Sequence, residues 1–192
     1  HGYRQEAVHG GLPIYLAALR PRMIELAAGL GDGVILNLFP QRALPRIVEH
    51  VARGALRAGK DPAQVEIVCR HQVAVTDDVQ ATRKLFRMMF ASYYATPVYN
   101  EFLAWAGYGH AAQEIREGWA AGDRERTAAA ISDAMIDEIA IIGTREQCQQ
   151  RVLDYARGGI HTHVVSCLGF EPAVVDATYR AFAPEHFGFR GI

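Results

Sequence analysis

The sequence predicts a parallel α/β protein, and three observations carry that prediction. Apolar runs of strand length alternate with stretches of helical periodicity. Gly, Pro and Asp punctuate the junctions, as at Gly29, Gly31 and Gly33, at Gly59 before Asp61-Pro62, and at Gly158-Gly159. The run Val34 to Leu38 is continuously apolar, the mark of a strand covered on both faces.

Taken in order, Pro13 to Ala18 forms the first strand. Pro21 then stands where a helix tolerates proline, at its first position, ahead of the short stripe Met23, Ile24, Leu26, Ala27 and Leu30. After the second strand, Val34 to Leu38, residues Arg42 to Ala58 place Leu44, Ile47, Val48, Val51, Ala52, Ala55 and Leu56 on one 3.6-period face. The third strand spans Val65 to Val75, and Thr76-Asp77-Asp78 caps a helix through about Tyr94. From Pro97 to Asp137 the rhythm lapses into helical material, too long for an ordinary connection, and reads as a helical excursion. Thr144 with Gln147 is a capping-box signature for a helix through Arg157. Ile160 to Cys167 makes the fourth strand, and a closing helix starts at Pro172. Four such strands suit a small doubly wound sheet or half of an eight-stranded barrel.

Length and composition bound the function. The 192 residues, 50% hydrophobic and 21% charged, suffice for a single domain over residues 1–192 with a sizeable core. A net charge of −1 provides no bulk attraction to nucleic acid or an anionic membrane, and no apolar run approaches the ~18 residues of a membrane span. Cys69, Cys148 and Cys167 have no CxxC spacing and are odd in number, which fits a reducing, cytoplasmic setting. The start, His1-Gly2-Tyr3-Arg4, has neither an initiator Met nor a signal pattern, so a chain cut or processed upstream is expected.

In parallel α/β folds ligands meet the C-terminal strand ends. The first of these ends is Ala17-Ala18-Leu19-Arg20, where two small residues admit close backbone approach and the helix starting at Pro21 aims free N–H groups. Arg20 and Arg22 add positive charge. The turn reads as an anion site or as tight strand packing beside solvated arginines. Asn37 either faces a ligand or makes local turn hydrogen bonds. In Arg70-His71-Gln72, alternation puts Arg70 and Gln72 on one face of the strand and His71 on the other; the sequence does not say which face looks inward. Ser166-Cys167-Leu168-Gly169 occupies the last strand end. His161 and His163 share a strand face, but at the N-terminal end and without a third ligand, so no metal is assigned. Phe86, Met88, Met89, Phe90, Tyr93 and Tyr94 read as helical core or interface. A Walker loop, a GxGxxG motif and a catalytic triad are absent from the sequence, and catalytic residues stay unassigned.

Two stretches carry a resemblance to a known family. PIYLAALRPRMIELAAGLGDGVILN resembles the strand–turn–helix–strand of luciferase-like monooxygenases, and IGTREQCQQRVLDYARGGIHTHVVS is similar to that family's closing unit. The match is nearer the branch that uses the deazaflavin coenzyme F420. The resemblance implies a (β/α)8 TIM barrel, with this chain supplying roughly strands five to eight. It implies hydride transfer between the deazaflavin and a small organic substrate, with reduced FMN and oxygen as the alternative chemistry. Ala17, Ala18 and Leu19 match the turn against the cofactor, with Arg20 in place of the usual Gly, Arg22 in place of Lys, and Met23 following; Asn37 matches the substrate side, where Arg70 and His71 are also assigned. Strands one to four are missing from the match, so either another segment completes the barrel or the chain forms a homo-oligomer. A cofactor-free half-barrel acting as a structural or partner subunit is the non-enzymatic alternative.

Overall fold

The computed structural model describes residues 11–188, so the expectation about the first four residues lies outside them. Five strands make one parallel sheet: β1 (Tyr15–Ala17), β2 (Gly33–Asn37), β3 (Glu66–Val75), β4 (Ala140–Gly143) and β5 (Thr162–Cys167). β3 is the hub. It pairs with β2 along Glu66 to Arg70, with β5 along Val68 to Val73, and with β4 along Gln72 to Val75. β1 pairs with β2, so β1 and β5 bound the sheet.

Helices α1 (Pro21–Leu30), α2 (Leu44–Arg57) and α8 (Arg145–Arg157) follow β1, β2 and β4 and cover one face. Val34, Leu36, Ile67, Cys69 and Val73 point into that layer and pack with Ile24, Ile47, Val51, Val152 and Tyr155 in a single core. This is the outer face. α1 and α2 cross closely because Gly54 has no side chain: a Cβ there would lie 2.2 Å from the Glu25 carbonyl oxygen. On the opposite, inner face, Tyr15 and Thr162 both donate to the Glu66 carboxylate, tying β1, β3 and β5 together at their N-terminal ends.

Between β3 and β4 runs the helical excursion, preceded by α3 (Val79–Ala95). It comprises α4 (Pro97–Leu103), a π-helical turn at Ala104–Tyr108, α5 (Gly109–Ala120), α6 (Arg124–Ala129) and α7 (Asp133–Ile139). Gly107 breaks the run with φ 98°, a left-handed conformation that glycine adopts without a Cβ clash. Phe86, Phe90 and Tyr94 of α3 join Leu103, Ile115, Met135 and Ile136 in a second core, which also takes Leu38, Ala74 and Leu168 from the strand ends. Met88 and Tyr93 of the same aromatic and Met cluster stay exposed.

The sequence reading places most elements, with one correction. β4 is a fifth strand, missed because Ala140-Ile141-Ile142-Gly143 is four residues long and abuts α7 without a turn signal. The expected boundaries shift by one or two residues elsewhere, as in Tyr15–Ala17 for the first strand and Thr162–Cys167 for the last. The capping box of α8 forms as the spacing predicts: Thr144 Oγ1 accepts from Gln147 N, and Gln147 Oε1 accepts from Thr144 N. Closing the fold, α9 (Pro172–Ala181) has its Thr178 hydroxyl accept from Val75 N.

Candidate functional site

At the C-terminal ends of β1 and β2 lies a cleft of about 300 Å³, lined by Ala17, Ala18, Leu19, Arg20, Met23, Ile35, Asn37, Val98 and Tyr99. The strands position its floor. Strand alternation turns Ala17, Ile35 and Asn37 to the inner face while Leu16, Val34 and Leu36 go to the helices. After Asn37 the chain leaves β2 through Leu38 at φ 51°, an unusual value for a residue with a Cβ. That kink sends the Leu38 side chain into the excursion's core, where the Tyr94 hydroxyl donates to its carbonyl at 3.4 Å, and leaves Asn37 at the cleft.

The turn before α1 has the makings of an anion site. Arg20, the N-cap, is extended, no side chain caps the first turn, and no acidic residue sits there. The first-turn N–H groups after Pro21, a residue with no N–H of its own, have no side-chain acceptor among the described residues. Arg20 itself forms an ion pair with Glu101 of α4, both exposed, which ties the turn to the excursion across the cleft mouth. Arg22 lies elsewhere: it lines a larger groove, about 670 Å³, between α1 and α2 on the outer surface, together with Glu25, His50 and Arg57. There Glu25 is half-buried against His50 Nδ1 at 2.8 Å and Arg57 at 2.9 Å, and chiefly the His50 hydrogen bond holds its carboxyl below the usual range.

The polar triplet of β3 divides between the two faces. Arg70 is exposed on the inner face, in register with Asn37, and donates to Ser166 Oγ at 2.8 Å. His71 points the other way. It is 2% exposed, shares a 2.9 Å hydrogen bond with His163 Nδ1 and stacks on that ring, and sits 4.7 Å from the Tyr155 ring. Burial lowers His71 to about 3 and His163 to about 4, so both are neutral packing groups on the sheet face opposite Asn37 and Arg70. His161, the other half of the expected pair, accepts from Ile67 N at 2.9 Å. Among the described residues no group of three or more His, Cys, Asp and Glu is arranged to hold a metal. Burial raises the Cys69 and Cys148 thiols, Cys148 to about 12, which removes both as nucleophiles.

The sequence reading had no signal for Val98 and Tyr99, because the excursion's approach to the strand ends is a tertiary event. Tyr99 lines the cleft together with Asn37. Burial raises its phenol above the usual value, against the opposing influence of Asn37 and the Arg70 charge. Asn37 keeps a buried Oδ1 without a partner among the described residues. A buried acceptor of this kind calls for a donor from outside the chain, water or a ligand.

The luciferase-like monooxygenase family matches residues 3–162. The chain belongs to that family. It is 28% identical over 161 residues to the 5,10-methylenetetrahydromethanopterin reductase of Archaeoglobus fulgidus, an alignment that covers 82% of this chain and 48% of the relative. The chain thus spans about half the length of the curated relatives it matches. Its fold superposes on the coenzyme F420-dependent tetrahydromethanopterin reductase of Methanopyrus kandleri with a TM-score of 0.67 at 19% identity, covering 87% of this chain and 48% of that one. An F420-dependent secondary alcohol dehydrogenase gives 0.65 at 15% identity, with 92% and 49% covered. The sheet and its helices are therefore part of a luciferase-like TIM barrel.

Proposed function

We propose that this chain is the cofactor-holding part of a coenzyme F420-dependent oxidoreductase. One observation carries the reading: the cleft at the β1 and β2 ends joins an uncapped helix N-terminus to a floor of Ala17 and Ala18. A planar ring needs a floor without side chains, and a phosphate needs free N–H groups beside it. Both are present within one cleft. The orphaned Asn37 Oδ1 supplies an acceptor for a ring N–H, so the residues fit the group. The bound deazaflavin supplies a carbon that takes or gives a hydride.

The remaining work falls to the chain. Leu19 and Met23 shield the cleft from water, and the first-turn amides of α1 hold negative charge. Arg20, held by Glu101, keeps the turn and α4 together over the cofactor. Tyr99 and Asn37 orient the ring edge from the side on which Arg70 lies. Both solved structures on which the fold superposes are described as F420-dependent, which supports the deazaflavin over FMN. The open outer edges of β1 and β5, flanked by exposed Ile14 and Leu30 at one side and Val164 and Phe170 at the other, are completed in this reading by further strands of a barrel.

The test is an equilibrium titration of the protein with coenzyme F420 and, separately, FMN, read by quenching of cofactor fluorescence. Saturable F420 binding, tighter than FMN and abolished by Ala18→Leu, supports the reading. FMN binding with no response to F420 replaces it with the flavin alternative, and no binding of either leaves the cofactor-free subunit.

A further inference from the structure

We infer that the inner face of β3 carries an oxyanion subsite, built on Arg70 and Ser166, that takes a carboxylate of the organic substrate. This rests on the oxidoreductase reading above and names the substrate class for it. Parallel register stacks the inner face into layers. Ala17, Ile35, Val68 and Thr162 form one; Asn37, Arg70 and Val164 the next; Gln72 and Ser166 the one nearest the excursion. The first layer is apolar apart from Thr162, whose hydroxyl is taken up by Glu66, and borders the cleft floor, whereas the next two carry Asn37, Arg70, Gln72 and Ser166.

Three observations converge on this row. Arg70 has no carboxylate partner among the described residues, in a chain where Arg42, Arg83, Arg87 and Arg126 each hold one. Its contact to the Ser166 hydroxyl occupies part of a planar five-donor fork and leaves the rest for a two-oxygen acceptor. Gln72, on the same strand face and in register with Ser166, is 3% exposed, and its Nε2 has no partner among the described residues. A buried amide donor without an acceptor is a cost that a bound oxyanion relieves. Arg70 stands opposite Asn37 in the strand register, so an anion held here adjoins the cleft that Asn37 lines. Half-buried Ile35 and Val68, with exposed Val164, offer the adjoining surface for an apolar body. The ligand class is therefore an amphipathic small carboxylate.

Calorimetric titration with benzoate and with benzamide, which match in shape and differ in charge, tests the subsite with and without F420 present. The expected result is benzoate binding about tenfold or more tighter than benzamide, because a site built for an anion rejects its neutral isostere. Arg70→Gln should erase the preference and Arg70→Lys should keep part of it, both leaving F420 affinity within about twofold because Arg70 does not line the cleft. Equal affinity for the two probes, or a preference that survives Arg70→Gln, overturns the inference. So does a loss of F420 affinity in Arg70→Gln without any benzoate preference, which would give Arg70 to the coenzyme's own anionic groups. If benzoate preference depends on Arg70 while F420 fails to bind, the oxidoreductase reading falls and the subsite stands.

Discussion

The two faces of β3 present the same polar chemistry in opposite states. On the outer face His71 is enclosed by Cys69, His163 and Tyr155, its hydrogen bonds made within the chain. On the inner face, one residue away, Arg70 keeps a hydroxyl for its hydrogen-bond partner and Gln72 an unsatisfied donor. Satisfied polar groups stabilise a fold; unsatisfied ones wait for something outside it. The difference teaches that polarity within a buried strand does not by itself mark a site. What marks it is polarity without an internal partner.

Substitutions that break the outer face should cost stability, and those on the inner face should cost binding. The largest loss is expected from Gly54→Val, whose side chain has no room against the Glu25 backbone. Chemical denaturation should show a destabilisation of about 3 kcal/mol. His71→Ala removes the contact with Tyr155 and the His163 hydrogen bond, and should cost about 2–3 kcal/mol while leaving F420 affinity unchanged.

Acid provides a third test. Folding lowers both His71 and His163 below their ordinary value of 6.5, to about 3 and about 4. The unfolded chain therefore takes up protons first as pH falls, and folded-state stability declines from about pH 6.5 downward. Above pH 6.5 both states hold neutral imidazoles and these two groups contribute no slope. Denaturation midpoints across pH 7 to 4.5 should show the decline, and His71→Leu should flatten it. The smallest stability effect is expected at the inner face: Arg70→Gln should shift the unfolding free energy by no more than about 0.5 kcal/mol, because its side chain is exposed.

The same contrast sets what the sequence could reveal. Helix α2 and the α8 capping box were legible because periodicity and caps are local. The helix start at Pro21 was legible for the same reason, since Pro21 and the small residues before it adjoin in sequence. Arg70 and His71 were singled out together because alternation separates faces without orienting them; only packing of Ile67, Cys69 and Val73 against the helices assigns His71 to the outside. Arg22 was grouped with Arg20 by proximity, yet the helical rise turns it into the α1–α2 groove. Tyr99 was invisible as a cleft residue, since it arrives from the excursion, 62 positions beyond Asn37 in the chain (99 minus 37).

The most direct test of the central claim is F420 affinity in a matched pair, Ala17→Phe in the cleft floor and His71→Leu on the outer face, read by fluorescence quenching against the unchanged protein. Ala17 is exposed at the cleft, so Phe fits without unfolding the sheet and should abolish F420 binding, while His71→Leu should bind as the unchanged protein does. F420 binding retained by Ala17→Phe, or lost in a folded His71→Leu, would contradict the placement of the cofactor at the β1 and β2 ends.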